Sequence, residues 1–467
     1  MMLFTHIAML GWIPVAMGLF LILKPRRAVM AGYILAMLFL PNYQYEIPKL
    51  MDYTKLTAAS IGLLMAATLF DWRTITNFRP HWVDIPVAIW CVVPFFSSMA
   101  NDTGIHDYYG FYDGMSSSLY QTFIWGVPYF LGRVYITDHQ CLKELAIAII
   151  IGALIYAPLC WFEIRMSPQL HNWIYGFTQH RFGQARRGDG WRPMVFQQHG
   201  LALGMLMGMS AMTAGWLWRA RTIKKIGSLP IAAVAIFLLV TVVFIKSSFA
   251  LVLVLTGIIA YYAVKILRHP LPLLILIFMI PVYQYARASG SFTGETLVNI
   301  AQSVFSSDRA GSLQFRLDNE DVIIEHAAKA KPWLGWGTWG DYRVDEDTIP
   351  DGMWVITYGK YGIIGLVSLT LTLLTGPAVM LLGLPRKYMR VPDAAPALAL
   401  TAIMILFTYD CLMNSFPNPI FGLIGGGVAC VGRLYWQHHS GSQSWFQTLV
   451  WRVFRRKHHR NASRNWQ

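Results

Sequence analysis

Apolar runs of membrane length recur along the chain from residue 3 to residue 436. A hydrocarbon core about 30 Å thick needs about 20 apolar residues in helical form. Inside lipid, every backbone polar group must be satisfied by its own segment. Repeated runs of this kind therefore predict an all-α, polytopic integral membrane protein with about 12–13 transmembrane helices. The expected spans are Leu3–Leu23, Ala28–Pro41, Leu56–Phe70, Ile85–Ala100, Met115–Ile136, Leu142–Phe162 and Met194–Trp216. Further on come Ser228–Ile245, Phe249–Ile266, Pro270–Tyr285, Met353–Gly383, Pro396–Asn414 and Ile420–Trp436.

Charge agrees with that class. Only 13% of the residues are charged, against about a quarter in a soluble domain. The net charge of +14 would suggest nucleic acid in a soluble protein. Here the basic residues sit in short links between apolar runs, no stretch resembles a nucleic-acid module, and the charge reads as membrane topology. The five cysteines, Cys91, Cys141, Cys160, Cys411 and Cys430, show no CxxC spacing, so neither a disulfide framework nor a metal site is expected. The first apolar run lacks a basic leader and a small-residue cleavage site and is read as a retained span.

If every run is a span, the basic clusters fall on one side. They are Lys24–Arg27, Arg73 and Arg79, Arg133 and Lys143, Arg219–Lys225, Lys265 and Arg268, Arg386–Arg390, and the tail from Arg452 to Arg464. The positive-inside rule makes that side cytoplasmic. The opposite side receives Asn42–Thr54, Asn101–Gly114, Glu163–Pro193 and the long polar stretch Ala286–Asp351. The expected organisation is N-terminal helices over 1–285, a large, partly helical external loop over 286–351, C-terminal helices over 352–436 and a basic tail over 437–467. No internal repeat of the kind that builds secondary transporters is visible.

The external segments hold the unusual chemistry. In His180–Pro193, Arg181, Arg186, Arg187 and Arg192 crowd before an apolar run on the side where cations are disfavoured. Guanidinium forks match phosphate oxygens, which suits a diphosphate; lipid headgroups or Asp189 would also satisfy them. In the long stretch a helix is expected over Leu317–Lys329, opened by Arg316. Arg316 and Glu320 have the spacing of an ordinary helix pair. Lys331 and Pro332 end that helix. Trp333, Trp336 and Trp339, interleaved with glycines, offer flat faces for sugar rings, for packing or for the interfacial belt. Asp341, Asp345, Glu346 and Asp347 lack the ligand spacing of a calcium loop and read as a solvated face. Asp351, at the mouth of the next span, fits either a general base or a helix N-cap. Lys246–Ser247–Ser248 separates two apolar runs on the same side. Lys360, Glu163 with Arg165, and Asp410 are ionisable groups at membrane depth. Asp107, Tyr108, Tyr109, Tyr112 and Asp113 form a polar-aromatic loop suited to sugar or to interfacial anchoring.

Between Arg186 and Leu366 the order of these features resembles the O-antigen ligase and O-antigen polymerase superfamily. The stretch RPMVFQQHGLAL at Arg192–Leu203 is similar to that family's arginine segment entering a helix, without the usual Pro-Asn. Lys246–Ser247–Ser248 stands where many members have Ser-Arg. Arg316 followed by PWLGWGTWG at Pro332–Gly340 is similar to its Arg and Pro-Leu-Gly-x-Gly pattern, and YGKYGIIGL at Tyr358–Leu366 to its Gly-x-x-Gly-Leu helix. Ligases of the family carry a functional His, usually followed by Asn, before that helix; here the positions read Asp351–Gly352. His199 and His326 lie elsewhere in the chain.

The resemblance implies an inverting glycosyltransferase of the bacterial inner membrane with its active site facing the periplasm. Its substrate would be an undecaprenyl-diphosphate-linked glycan. The missing His favours polymerisation of exopolysaccharide, capsule or O-antigen repeats; ligation to another acceptor, or transport of the lipid-linked sugar, is the alternative. Arg187, Arg192, Arg316 and Lys246 would bind the diphosphate. Asp351 and Arg316 would be catalytic, and Trp333, Trp336 and Trp339 would line the glycan. No metal or other cofactor is expected; membrane lipid and other polysaccharide assembly proteins are expected partners.

Overall fold

A computed structural model describes residues 2–101, 110–188, 190–304, 307–338, 342–343, 348–389 and 391–439, with backbone alone at 304, 307–309, 328–329 and 438–439. The fold is all-α and that of a multi-pass membrane protein. Its helices are α1 (Leu3–Ile22), α2 (Pro25–Phe39), α3 (Lys55–Phe70), α4 (Trp72–Thr76), α5 (Ile85–Met99) and α6 (Gly110–Gln121). A π-turn at Thr122–Gly126 joins α6 to α7 (Val127–Tyr135), followed by α8 (His139–Met166), α9 (Leu170–Tyr175) and α10 (Gly200–Arg219). Then come α11 (Ile231–Phe244), α12 (Ser248–Leu267), α13 (Leu271–Ala288), α14 (Glu295–Val304) and α15 (Ser307–Ala330). The chain continues through α16 (Met353–Gly383), α17 (Ala395–Met413) and α18 (Pro419–His439). Strands among the described residues are confined to three two-residue hairpins.

Nine of these helices, among the described residues, are long and apolar enough to cross a membrane: α1, α5, α8, α10, α12, α13, α16, α17 and α18. The other expected runs fall on α2, α3, α11 and the α6–α7 pair. At 16 residues α3 rises about 24 Å, short of the hydrocarbon thickness. Burial separates the centre of the bundle from its rim. In α17, 89% of the apolar window is buried; in α13, only 22%. The apolar side chains that α13 leaves exposed, such as Phe278 and Tyr285, suit a lipid-facing surface.

The connecting segments sort onto two faces. On the basic face Arg26 and Arg27 bind Glu144 at 2.9 and 3.2 Å, and Arg133 binds Asp84 at 2.7 Å. There too, Thr222 donates to the Pro392 carbonyl at 2.7 Å. On the opposite face Lys55 Nζ donates to the Phe196 carbonyl at 2.7 Å, the Asn42 amide to His171 Nε2 at 3.2 Å, and Arg316 to the Met413 carbonyl at 3.3 Å.

In the segment between α13 and α16, the helix expected over Leu317–Lys329 runs instead from Ser307 to Ala330. Arg316 therefore lies in its interior. Nothing in the residues before Arg316 breaks a helix as proline would, and the helix extends by more than two turns.

The long helix α16 is broken at Gly362, with φ 61° and ψ −160°. That conformation is open to glycine and essentially closed to other residues. The loop that follows α15 fills the break. The carbonyls of Gly359 and Lys360, which an unbroken helix would give to residues 363 and 364, accept from Trp336 (3.0 Å) and Gly337 (2.8 Å) instead. The amides of Ile363 and Ile364 donate to the carbonyls of Pro332 (2.8 Å) and Trp333 (3.3 Å). From α5, Ser97 Oγ donates to the carbonyls of Leu334 and Lys360, at 2.5 and 2.9 Å, and Asn101 Nδ2 donates to that of Gly335 at 2.9 Å. Irregular backbone within an apolar bundle needs replacement bonds of this kind.

Candidate functional site

The site lies on the face opposite the basic loops, where residues 176–199, the α11–α12 turn, α15 and the mouths of α16 and α17 meet. Glu163, fully buried at the end of α8, anchors the first segment. Its carboxylate accepts from the amides of Leu170 (3.0 Å), Met194 (2.8 Å) and Val195 (2.7 Å). Sequence placed Glu163 at membrane depth as a possible functional charge; its observed work is to hold the arginine-bearing loop.

Arg186–Arg187 pair with Gly190–Trp191 in a short antiparallel hairpin. Arg192 then turns inward and is 8% exposed. Its side chain lies across Gly200, where a Cβ would meet Arg192 Cδ at 2.3 Å. Its guanidinium donates to the Lys246 carbonyl at 3.1 Å. Lys246 has a left-handed backbone, φ 58°, and its Nζ donates back to the Arg187 carbonyl at 3.0 Å. The α11–α12 turn and the arginine hairpin are thus stapled together.

From the other side comes Arg316. Its Nε is 2.8 Å from Asp351 Oδ2, and its Nη1 reaches the Met413 carbonyl (3.3 Å) and Asn414 Oδ1 (3.5 Å). Asn414 is oriented by Asp410, 2.7 Å away. Two local expectations give way to this contact. Gly352, not Asp351, is the N-cap of α16, and Arg316 pairs with Asp351 rather than with Glu320. Glu320, one turn further on, turns instead toward α13 and the start of α16: its carboxylate lies 3.5 Å from Arg287 and accepts from Trp354 Nε1 at 3.2 Å.

His199 joins the two halves. It caps α10, with Nδ1 accepting from the Leu201 amide at 3.1 Å. Its ring stacks on Phe416 (5.4 Å, 6°) and meets His180 edge-on (4.7 Å). Partial burial, followed by His180, Arg192, Arg187 and Arg316, pushes its pKa down to about 3. The three arginines named for the diphosphate therefore act on one imidazole, although Arg192 and Arg316 stand more than a hundred residues apart.

The tryptophans occupy a neighbouring region. Trp336 has His326 stacked on its ring at 4.5 Å and Lys331 Nζ 4.3 Å from the ring centre. His326 is ten residues beyond Arg316 on α15, about 15 Å along the axis. Trp333 is 66% exposed. Lys360 Nζ lies over Tyr342 at 5.0 Å. Trp339, Asp341, Asp345, Glu346, Asp347, Asp189, Asp107, Tyr108 and Tyr109 lie outside the described residues, as does the tail beyond 439. All five cysteines are buried and free, and the described residues contain no cluster of three metal-ligating side chains.

Sequence reading did not foresee Asn414, Phe416, Arg287 or the part played by Glu320. A signal for the first two was the polar NSFPNP stretch at the abrupt end of α17, on the arginine face by span parity. Glu320 carries a pH prediction. It is 1% exposed, and burial pushes its carboxyl up from 4.5 to about 7, against the opposing pull of Arg287. A group with a raised carboxyl pKa contributes most to stability below its unfolded value and loses that contribution as pH rises through the folded one. Asp321, 3.0 Å from Arg287, keeps that cation paired when Glu320 is protonated. The melting temperature in detergent is expected to fall between about pH 4.5 and 7 and to level off above that, and Glu320→Gln to flatten that fall. An equal slope in the variant would remove Glu320 as its cause.

No protein-family model matches the chain, and comparison with curated proteins finds no match either.

Proposed function

We propose that this protein is a membrane glycosyltransferase that polymerises lipid-diphosphate-linked oligosaccharide repeats on its arginine-bearing face. The observation that carries the reading is the gathering of Arg187, Arg192 and Arg316 around His199, with Asp351 ion-paired to Arg316. Fixed guanidinium charges stabilise a departing diphosphate as negative charge develops on it. In the proposed step an acceptor hydroxyl attacks the anomeric carbon of the donor sugar and passes its proton to Asp351. The bond from that carbon to the phosphate oxygen breaks, the lipid diphosphate leaves, and the anomeric configuration inverts. Trp333, with its exposed ring, is the tryptophan placed to meet glycan. By the positive-inside rule the face is external, the periplasmic side of a bacterial inner membrane.

The test is purified protein given lipid-diphosphate-linked repeat units, with product scored by length. Lengthened product is expected, and Asp351→Asn should lower turnover about a hundredfold or more with donor binding changed by less than about threefold. Full turnover in Asp351→Asn would remove the base. Transfer only to an acceptor that is not carrier-linked would make the enzyme a ligase, and transbilayer movement without bond formation would make it a transporter.

A further inference from the structure

We infer that His199 is a ligand-binding residue of the anion site, donating a hydrogen bond from Nε2 to a phosphate oxygen. The inference rests on the diphosphate reading above and names a contact that the arginines do not make. Its basis is the ring's fixed orientation. Nδ1 accepts from the Leu201 amide, so in the neutral ring the proton sits on Nε2. Nε2 is on the opposite edge of the ring, turned away from the helix end. Among the described residues it makes no hydrogen bond. Phe416, stacked at 5.4 Å and nearly parallel, and His180, edge-on at 4.7 Å, hold the ring plane.

Charge keeps the ring in that form. Partial burial and the surrounding arginines hold His199 far below neutrality, so it stays an uncharged donor at every working pH. The neighbouring guanidiniums supply charge, and a neutral N–H adds direction without another cation to repel them.

Two isosteres separate this role from capping. Asn places its amide near the Nδ1 position: it keeps the cap and withdraws the distal donor. Gln reaches to the Nε2 position: it keeps the donor and weakens the cap. The probe is farnesyl diphosphate, titrated calorimetrically into the full-length protein in detergent, with melting temperature measured in parallel. His199→Asn should bind about tenfold more weakly, as expected for a lost hydrogen bond to a charged group, with its melting temperature unchanged. His199→Gln should bind within about threefold of wild type and melt lower. Unchanged binding in His199→Asn, or losses in both variants that track stability, would overturn the donor role. If the wild type does not bind, or binds as well after Arg192→Ala and Arg316→Ala, the diphosphate reading falls with it. Weakening by the arginine variants alone leaves that reading standing and rejects His199.

Discussion

In the proposed polymerase reaction, Arg316→Ala should lower polymer synthesis by about two to three orders of magnitude, the cost of removing one preorganised donor from a developing oxyanion. Cells carrying it should accumulate single repeat units on the lipid carrier at a normal protein level. Arg316 is only partly buried and its strongest contact is Asp351 at 2.8 Å, so the loss should appear in turnover rather than in folding. Lysine at the same position keeps the charge but not the fork that spans Asp351, Met413 and Asn414, and should recover only part of the activity. Because Arg316 and Asp351 act as a pair, Arg316→Ala combined with Asp351→Asn should cost less than the product of the single losses. An unchanged polymer length distribution at equal protein level would show that Arg316 takes no part in the reaction.

The second large effect concerns the fold. At Gly362 an added Cβ would lie 2.4 Å from the Trp333 carbonyl carbon, in a backbone conformation that only glycine adopts readily. Strain and overpacking together should cost about 2–6 kcal/mol, a large part of a typical total of about 5–15. Gly362→Ala should therefore give little folded protein and a sharply lower melting temperature. Gly215 in α10 is the control, because nothing lies within 4 Å of its added Cβ. Gly215→Ala should be neutral or slightly stabilising. A Gly362→Ala protein that melts within a few degrees of wild type would mean the break is not required.

The helices were legible because an apolar run needs no partner to declare itself. Among the described residues, nine of the thirteen expected spans fall on helices long and apolar enough to cross a membrane and two on shorter apolar helices, and the class follows from that alone. The break in α16 was not legible. Its cause is backbone pairing with residues 332–337, and nothing local in YGKYGIIGL distinguishes a glycine that breaks a helix from one that merely lies in it. At the site, span parity placed Arg187, Arg192, Lys246, Arg316 and Asp351 on one face. Local spacing was a poorer guide to their partners. Four residues separate Arg316 from Glu320, yet each finds a better partner across the fold: Asp351 for Arg316, and Arg287 with Trp354 for Glu320. Asp351 had the position of a cap and took an ion pair instead. His199 was visible only as a histidine opening an apolar run; its neighbours come from segments that sequence cannot bring together.

The break also determines where this protein can be cut and rejoined. Residues 353–361 look like the first turns of a transmembrane helix, but the backbone bonds across the break run to the loop after α15. Genetically, this short piece belongs with the external segment. A chimera that exchanges the segment at residue 351 would leave half of a four-bond seam on each parent. One that carries the graft through Ile364 keeps the seam whole and moves Arg316, Asp351 and their floor as a single cassette.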